Sequence, residues 1–218
     1  MHIPDGFLSG EVAALAAVPA VAAVAYALHV ADRDLDDERV PMLGVLAAFI
    51  FAAQMLNFPV AGGTSGHFLG AALAAVLLGP WLAGVVLAVV LVVQAFVFAD
   101  GGVTALGANV LNMGVIGGLV VGGVMVAARR VLPASRTATL AIAGAGAWLA
   151  VMAGAAATAV ELGISGTVPL GTVLPAMLGV HAVIGAGEAV ITVAAVSAVL
   201  ATRPDVLPAR RRRPVPAL

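Results

Sequence analysis

Residues 12–31 read VAALAAVPAVAAVAYALHVA, an apolar stretch of 20 residues that contains no charged side chain. With a rise of about 1.5 Å per residue, such a stretch forms a helix that matches the roughly 30 Å hydrocarbon core of a bilayer. The whole chain has this character, because 62% of its 218 residues are hydrophobic and only 10% are charged. A soluble fold of this size cannot bury so much apolar surface. The sequence therefore predicts an all-α membrane protein.

Further apolar runs follow this stretch, so about seven transmembrane helices are expected. Their approximate limits are 41–56, 68–79, 82–99, a run that ends before Arg129, 138–160 and 176–201. The run at 68–79 is short. It fits a separate crossing, a re-entrant piece, or the first part of one long helix with the next run.

The arginines favour a separate crossing at 68–79. With seven crossings, every arginine of the chain falls on one side of the membrane, and the loops on the other side hold none. The positive-inside rule then places the N-terminus outside and the C-terminus in the cytoplasm. We expect residues 1–202 to form one polytopic helical domain with an N-terminal segment at 1–11. Residues 203–218 are expected to form a disordered, Arg-rich cytoplasmic tail near the lipid headgroups.

The composition excludes several kinds of chemistry. The chain has no cysteine, so thiolate metal sites and cysteine nucleophiles are excluded. All of its basic residues are arginines, so the lysine of an ATP-binding P-loop and Schiff-base chemistry are excluded as well. Any step driven by ATP must therefore be carried out by another subunit.

The first eleven residues, MHIPDGFLSGE, contain two acidic residues and no basic one, so they lack the basic region of a signal peptide. Removal of the initiator methionine generally requires a small second residue, and His2 is bulky. We therefore expect Met1 to stay in place, followed by His2. Pro4 stiffens the chain directly after this pair, and Gly6 can supply a turn.

A free amino group followed by histidine can chelate a metal ion. The α-amine and the His2 amide nitrogen close a five-membered ring on the ion, and the same amide nitrogen and His2 Nδ1 close a six-membered ring. One more imidazole completes a square plane of four nitrogens, which suits Ni(II) or Cu(II) and does not suit tetrahedral Zn(II). His67 is the candidate for the fourth ligand, because it lies in an uncharged, Gly-rich loop on the same predicted side of the membrane.

Four stretches of the chain resemble the CbiM/NikM family, the substrate-specific components of cobalt and nickel energy-coupling-factor transporters. They are MHIPDGFLS (1–9), GGTSGHFLGAALAAVLLGPW (62–81), LGANVLNMGVIGG (106–118) and GVHAVIGAGEAVIT (179–192). The resemblance covers nearly the whole chain up to about residue 200. It implies that the metal ligands are the amine of Met1, the amide and imidazole of His2, and His67.

The same resemblance implies a transport subunit that is not an enzyme and sits in a bacterial cytoplasmic (inner) membrane, with Ni(II) or Co(II) as its transported substrate. The implied partners are a membrane coupling subunit and two cytoplasmic ATPase subunits. Whether a small accessory membrane subunit also takes part is a question that the resemblance leaves open. No nucleic-acid partner is expected. The sequence does not separate nickel from cobalt, since affinity order alone does not set biological selectivity.

Other polar residues are candidates for supporting the metal ligands. His181 and Glu188 are seven residues apart, which places them on one face of a helix. They either support the metal site or form an interhelical hydrogen-bond clamp, and we favour the clamp. Asn109 and Asn112 either cap or pack their helix, line the pocket, or hydrogen-bond the histidine ligands. The further candidates in the loop before the third run are Asn57, Thr64 and Ser65.

Two other functions compete with metal capture. Residues 63–66 read GTSG, which fits the pattern of intramembrane serine proteases, with Ser65 as nucleophile and His181 as base. Protease chemistry gives no reason for the Met1-His2 opening. A stand-alone metal channel or secondary transporter would place ionisable residues near the midplane of the membrane, and only His181 and Glu188 qualify.

Overall fold

Seven helices make up most of this computed structural model, which describes residues 1–37, 39–133 and 135–203. Apart from Arg203, the predicted tail lies outside the described residues. The helices are α1 (Gly10–Asp34), α2 (Val40–Gln54), α3 (Ala71–Leu78), α4 (Pro80–Val97), α5 (Leu106–Val131), α6 (Arg136–Ile164) and α7 (Leu170–Thr202). Two short strands, β1 (Phe58–Pro59) and β2 (Ser65–Gly66), pair antiparallel between α2 and α3.

The helix ends follow local sequence signals. The hydroxyl of Ser9 caps α1 by accepting a hydrogen bond from the Val12 N–H, and Ser135 caps α6 in the same way through the Ala138 N–H. Pro80 lies at the start of α4, where its missing N–H costs no hydrogen bond. Within α5, residues Val110–Ile116 form π-helical turns.

Helix length confirms the predicted all-α membrane fold. Five helices are long and apolar enough to cross a bilayer, namely α1, α4, α5, α6 and α7, and α2 is a shorter apolar helix of 15 residues. The seven helices agree with the expected number. The sides of the membrane on which the two termini lie stay a prediction.

The third predicted run forms a short buried helix that begins after an irregular segment. Asn57, just after α2, donates a 2.9 Å hydrogen bond to Asp100, just after α4, so these two helices end on the same side of the protein. Because α4 is of membrane-spanning length, the chain from residue 57 to Pro80 must return to the opposite side. It does so as irregular backbone at residues 67–70, followed by the eight residues of α3.

Irregular backbone at this depth is tolerated only where it is buried in protein. His67, Leu69 and Gly70 are buried, and so is every residue of α3. Gly70 has φ of +82°, and a Cβ there would lie 2.8 Å from the side chain of Ile50, so only glycine fits at the entry to α3. The outcome is a histidine-bearing loop enclosed by helices.

Candidate metal centre

The N-terminal segment folds back into the helical bundle. Met1 and Ile3 are 0% exposed and His2 is 3% exposed, although they are the first residues of the chain. The side chain of Met1 packs against α6, where a Cβ at Gly154 would lie 3.3 Å from the methionine Sδ. Burial of these two apolar side chains therefore draws the amino group and His2 into the protein.

The loop at residues 64–65 holds the chain terminus. The Met1 amine donates to the carbonyl oxygen of Ser65 and, at 2.9 Å, to its Oγ. The His2 N–H donates to the same Oγ at 3.1 Å, and Thr64 Oγ1 donates to the His2 carbonyl oxygen at 2.7 Å. The amine and amide nitrogens of the expected chelate thus both lie against Ser65.

Two residues hold Ile3 in place. One, Gly102, follows the end of α4, and the other, Asn109, lies in α5. Asn109 accepts a hydrogen bond from the Ile3 N–H at 2.9 Å and donates to the Ile3 carbonyl oxygen at 3.1 Å. The Gly102 N–H donates to the same carbonyl at 2.8 Å. The segment is therefore bonded through its backbone on both sides of His2.

His67 contacts His2 directly, with the ring centroids 4.3 Å apart and the planes 20° from parallel. The His67 Nδ1 lies 2.7 Å from the carbonyl oxygen of Phe68. Since a carbonyl can only accept, Nδ1 carries the proton and Nε2 keeps its lone pair. This Nε2 is buried and has no hydrogen-bond partner among the described residues, which is the state that a metal ligand requires.

Asp100 and Gln94 are site residues that the sequence did not reveal. Asp100 Oδ1 lies 2.9 Å from His2 Nδ1, the ring nitrogen that chelation requires. Asp100 follows α4 in an Asp-Gly-Gly turn, which predicts only a turn. Gln94 is buried near His2 in the last turn of α4, and neither its amide nitrogen nor its amide oxygen has a hydrogen-bond partner among the described residues. A glutamine within an apolar run is the one sequence signal that could have pointed to it.

Burial shifts the ionisation of the N-terminal groups. It holds the pKa of the Met1 amine well below its ordinary value, against the opposing attraction of Asp100. Burial also lowers the pKa of His2, again opposed by its hydrogen bond with Asp100. Both shifts favour the neutral forms. The neutral amine has a free lone pair, whereas His2 Nδ1, which donates to the Asp100 carboxylate, carries the ring proton and can bind a metal ion only after that proton has left it.

The other candidate residues take different places. Asn57 reaches the site only through Asp100. The side-chain amide of Asn112 donates to Glu161 at 2.6 Å and to Thr158 at 3.3 Å. The backbone carbonyl oxygen of Asn112 lies against Gly154, near Met1. His181 Nδ1 donates to the carbonyl oxygen of Met177 in its own helix, and its Nε2 is buried without a hydrogen-bond partner among the described residues.

Glu188 lies under the loop that carries His67. Its two carboxyl oxygens accept hydrogen bonds from the backbone N–H groups of Leu69, at 2.6 Å, and Gly70, at 3.0 Å. These bonds join α7 to the start of α3.

The expected donor set is unusual because two of its members are backbone nitrogens. The described residues contain no cluster of three or more His, Cys, Asp or Glu side chains that could hold a metal ion. The expected donors are instead the Met1 amine, the His2 amide, the His2 imidazole and His67 Nε2. Nitrogen donors in this arrangement suit Ni(II), Cu(II) or Co(II) better than Mg(II) or Ca(II), which prefer oxygen.

Comparison with known proteins identifies the family. A sequence model of the CbiM family, described as the cobalt uptake substrate-specific transmembrane region, matches residues 2–206. The chain belongs to the CbiM family. The resemblance drawn from the four sequence stretches is thereby confirmed, and this CbiM family member is a membrane protein of the cobalt and nickel transporters.

Individual relatives agree with this assignment. An Archaeoglobus fulgidus protein with the provisional name fused nickel transport protein NikMN is 43% identical over 209 residues, which cover 95% of this chain and 68% of that protein. The cobalt transport protein CbiM of Sorangium cellulosum is 34% identical, over 95% of this chain and 94% of its own length. A crystal structure described as a truncated transition metal transporter has a TM-score of 0.86 and 34% identity, and the match covers 92% of this chain and 99% of that one.

Proposed function

We propose that this chain captures Ni(II) or Co(II) with its own N-terminus and is the substrate-binding membrane subunit of an ATP-driven importer. The observation that carries the proposal is the buried Met1 amine next to His2 and His67, where the His67 Nε2 has no other partner among the described residues. The amine, the His2 amide and the His2 Nδ1 form fused chelate rings on the ion, and His67 closes the square plane.

Capture requires a rearrangement at His2. In the structure its Nδ1 faces Asp100, so the ion replaces the carboxylate at that nitrogen. The amine binds in its neutral form, whereas the His2 amide gives up its proton and the proton on His2 Nδ1 leaves that nitrogen as the ion binds, which makes binding weaker in acid. The N-terminal segment, held by Asn109 and Gly102, covers the ion from the side on which α2 and α4 end.

Energy for transport comes from partner subunits in this proposal. The chain lacks lysine and hence the P-loop lysine that ATPases use, and its family is described as substrate-specific. A membrane coupling subunit and two cytoplasmic ATPases would then move the loaded protein and release the ion inside.

The contacts do not favour the two competing functions. Ser65 Oγ is bonded to the Met1 amine and the His2 amide, and no hydrogen bond joins this Oγ to His181 among the described residues. A protease nucleophile would need that bond to its base. A channel or secondary transporter would use His181 or Glu188 for ions, but both Glu188 oxygens accept from backbone N–H groups. His181 is bonded to a backbone carbonyl through Nδ1, which leaves only its Nε2 without a partner among the described residues.

Blocking the amine tests the proposal. Acetylation of Met1, or one residue added before it, removes the primary amine and breaks the five-membered chelate ring. We expect the affinity for Ni(II) to fall by roughly 100-fold or more, beyond the 10- to 100-fold that loss of a supporting residue causes. Isothermal titration calorimetry of the purified protein, with metal content measured in parallel, gives the affinity.

Two histidine variants complete this experiment. His67→Ala should weaken binding almost as much, whereas His29→Ala, in α1 away from the site, should leave it unchanged. Full affinity in the acetylated protein would refute capture by the N-terminus.

A further inference from the structure

The peptide unit between Phe68 and Leu69 is hydrogen-bonded at both ends. Its carbonyl oxygen accepts from His67 Nδ1 at 2.7 Å, and its N–H donates to Glu188 Oε2 at 2.6 Å. The described residues contain no cis peptide bond, so the C=O and N–H of this unit point in opposite directions. One continuous line of hydrogen bonds therefore runs from the imidazole of His67 through the peptide to the carboxyl group of Glu188.

Glu188 is well placed to hold this peptide. The residue is 1% exposed, and its other oxygen accepts from the Gly70 N–H at 3.0 Å. Gly70 precedes the first turn of α3, where N–H groups have no partner inside the helix and the helix dipole is positive. No salt bridge to Glu188 is present among the described residues, so these two N–H groups are the partners that compensate its burial.

A second side chain fixes the next carbonyl group. Gln54, at the end of α2, donates from Nε2 to the carbonyl oxygen of Leu69 at 2.8 Å. Leu69 is thus held by α7 through its N–H and by α2 through its C=O. Irregular backbone that would otherwise be free to shift has a defined position two residues after His67.

We infer that Glu188 is a positioning residue of the metal centre, which orients and polarises His67 through the Phe68–Leu69 peptide. Histidines that bind metals commonly donate their second N–H to a carbonyl or a carboxylate, which fixes the ring and makes the free nitrogen a stronger donor. Here a carbonyl receives that N–H, and a carboxyl group bonded to the same peptide strengthens the carbonyl as an acceptor. The inference rests on the proposed role of His67 as a ligand.

A purely structural cap for α3 would behave differently. It would affect the stability of the protein, but it would not change the strength of His67 as a ligand. The test therefore needs a readout from the metal ion itself, and the visible absorption of bound Ni(II) supplies it, because the band position depends on the donor strength of the four nitrogens.

Glu188→Gln retains the size of the side chain and one acceptor oxygen, but it removes the charge and one acceptor. We expect the Ni(II) affinity to fall about 10- to 100-fold, as for other residues that support a metal-bound histidine, and the absorption band to move to longer wavelength. In a His67→Ala background the same substitution should have no further effect, because the two residues act in one chain of bonds.

Thr192→Val is the matched control. Thr192 lies on the same buried face of α7 one turn further on, and its hydroxyl has no hydrogen-bond partner among the described residues. This nearly isosteric change should leave affinity and spectrum as in the unmodified protein. An unchanged affinity and band position in Glu188→Gln, or a lower melting temperature with an unchanged band, would overturn the inference.

If Glu188→Gln does not fold, Gln54→Met tests the same loop from α2, because it removes the hydrogen bond that Gln54 donates to the carbonyl oxygen of Leu69. Faster hydrogen exchange at the Leu69 and Gly70 amides together with weaker Ni(II) binding supports the inference, and unchanged exchange and binding contradict it. Failure of the proposed function looks different, because the unmodified protein would then bind Ni(II) without nitrogen from Met1.

Discussion

His2 takes part in two opposing interactions. Its backbone and ring are buried and face the nitrogens of the proposed site, yet its Nδ1 is paired with the carboxylate of Asp100. The pKa of Asp100 lies below its ordinary value even though burial alone would raise it, because His2, the terminal amine and Asn57 stabilise the charged form. The residue is thus held ready beside the site by a partner that an ion must replace.

Acid should release the N-terminus in the metal-free protein. The docked pKa values of Met1 and His2 lie below their ordinary values, which are about 8 for an amine and 6.5 for histidine. Since docking lowers both values, its stability is complete above these ordinary values and is lost as the pH falls towards the docked ones. Hydrogen exchange at the Ile3 amide, corrected for intrinsic rate, should therefore quicken from pH 8.5 to 5.5. Equal protection throughout would contradict the prediction.

Chain chemistry made Met1, His2 and His67 candidate ligands, the family resemblance implied the same set, and the structure brings these three residues together. Their role as ligands stays a prediction. That α2 and α4 end on the same side as the N-terminus follows from seven crossings. Which residue of the turn after α4 contacts His2 depends on how the helices pack, and sequence spacing does not contain that information, so Asp100 could not be predicted as a neighbour of His2. Glu188 was expected to form an interhelical clamp or to support the metal site. Its hydrogen bonds connect α7 to the loop before α3, and that loop also carries His67.

The N-terminal segment depends on a close backbone approach at the turn after α4. A Cβ at Gly102 would lie 2.6 Å from the carbonyl carbon of Pro4. The neighbouring Asp5 also accepts hydrogen bonds from the Thr104 N–H and hydroxyl, at 2.7 and 2.6 Å. Residues 3–5 therefore run directly along this turn.

Gly102→Ala should displace the segment and weaken Ni(II) binding by about 5- to 150-fold, since core overpacking typically costs about 1–3 kcal/mol. Titration of the purified variant measures the loss. Gly171→Ala is the control, because a Cβ at that position in α7 meets nothing within 4 Å. Equal affinity in both variants would show that the segment docks without this close contact.

Helix signals in the sequence were reliable where the apolar runs were long. The run at 68–79 was harder to interpret, because its first residues are irregular backbone and its helix spans only Ala71–Leu78. The side chains of Gln54 in α2 and Glu188 in α7 hold that irregular backbone through hydrogen bonds, and Glu188 is distant from it in sequence. A short apolar run does not reveal such support.

The molecule as a whole should be oriented with the metal site outside. This orientation is predicted from the arginines alone, and the lack of cysteine makes it easy to test. Val103, near the site, and Val131, at the opposite end of α5, are both exposed. A membrane-impermeant maleimide should label Val103→Cys in intact cells and label Val131→Cys only after the membrane is opened. The reverse pattern would place the proposed site in the cytoplasm.

The contact between His2 and Asp100 has a consequence for discrimination among ions. Calcium and magnesium, which are abundant in most habitats, bind oxygen and have little affinity for an amide nitrogen. Such hard cations can pair with the Asp100 carboxylate, but they gain little from the nitrogens of the docked terminus. Only an ion that forms strong bonds to nitrogen would gain by separating His2 from Asp100, so the selection against common competitors would come from the nitrogen donors.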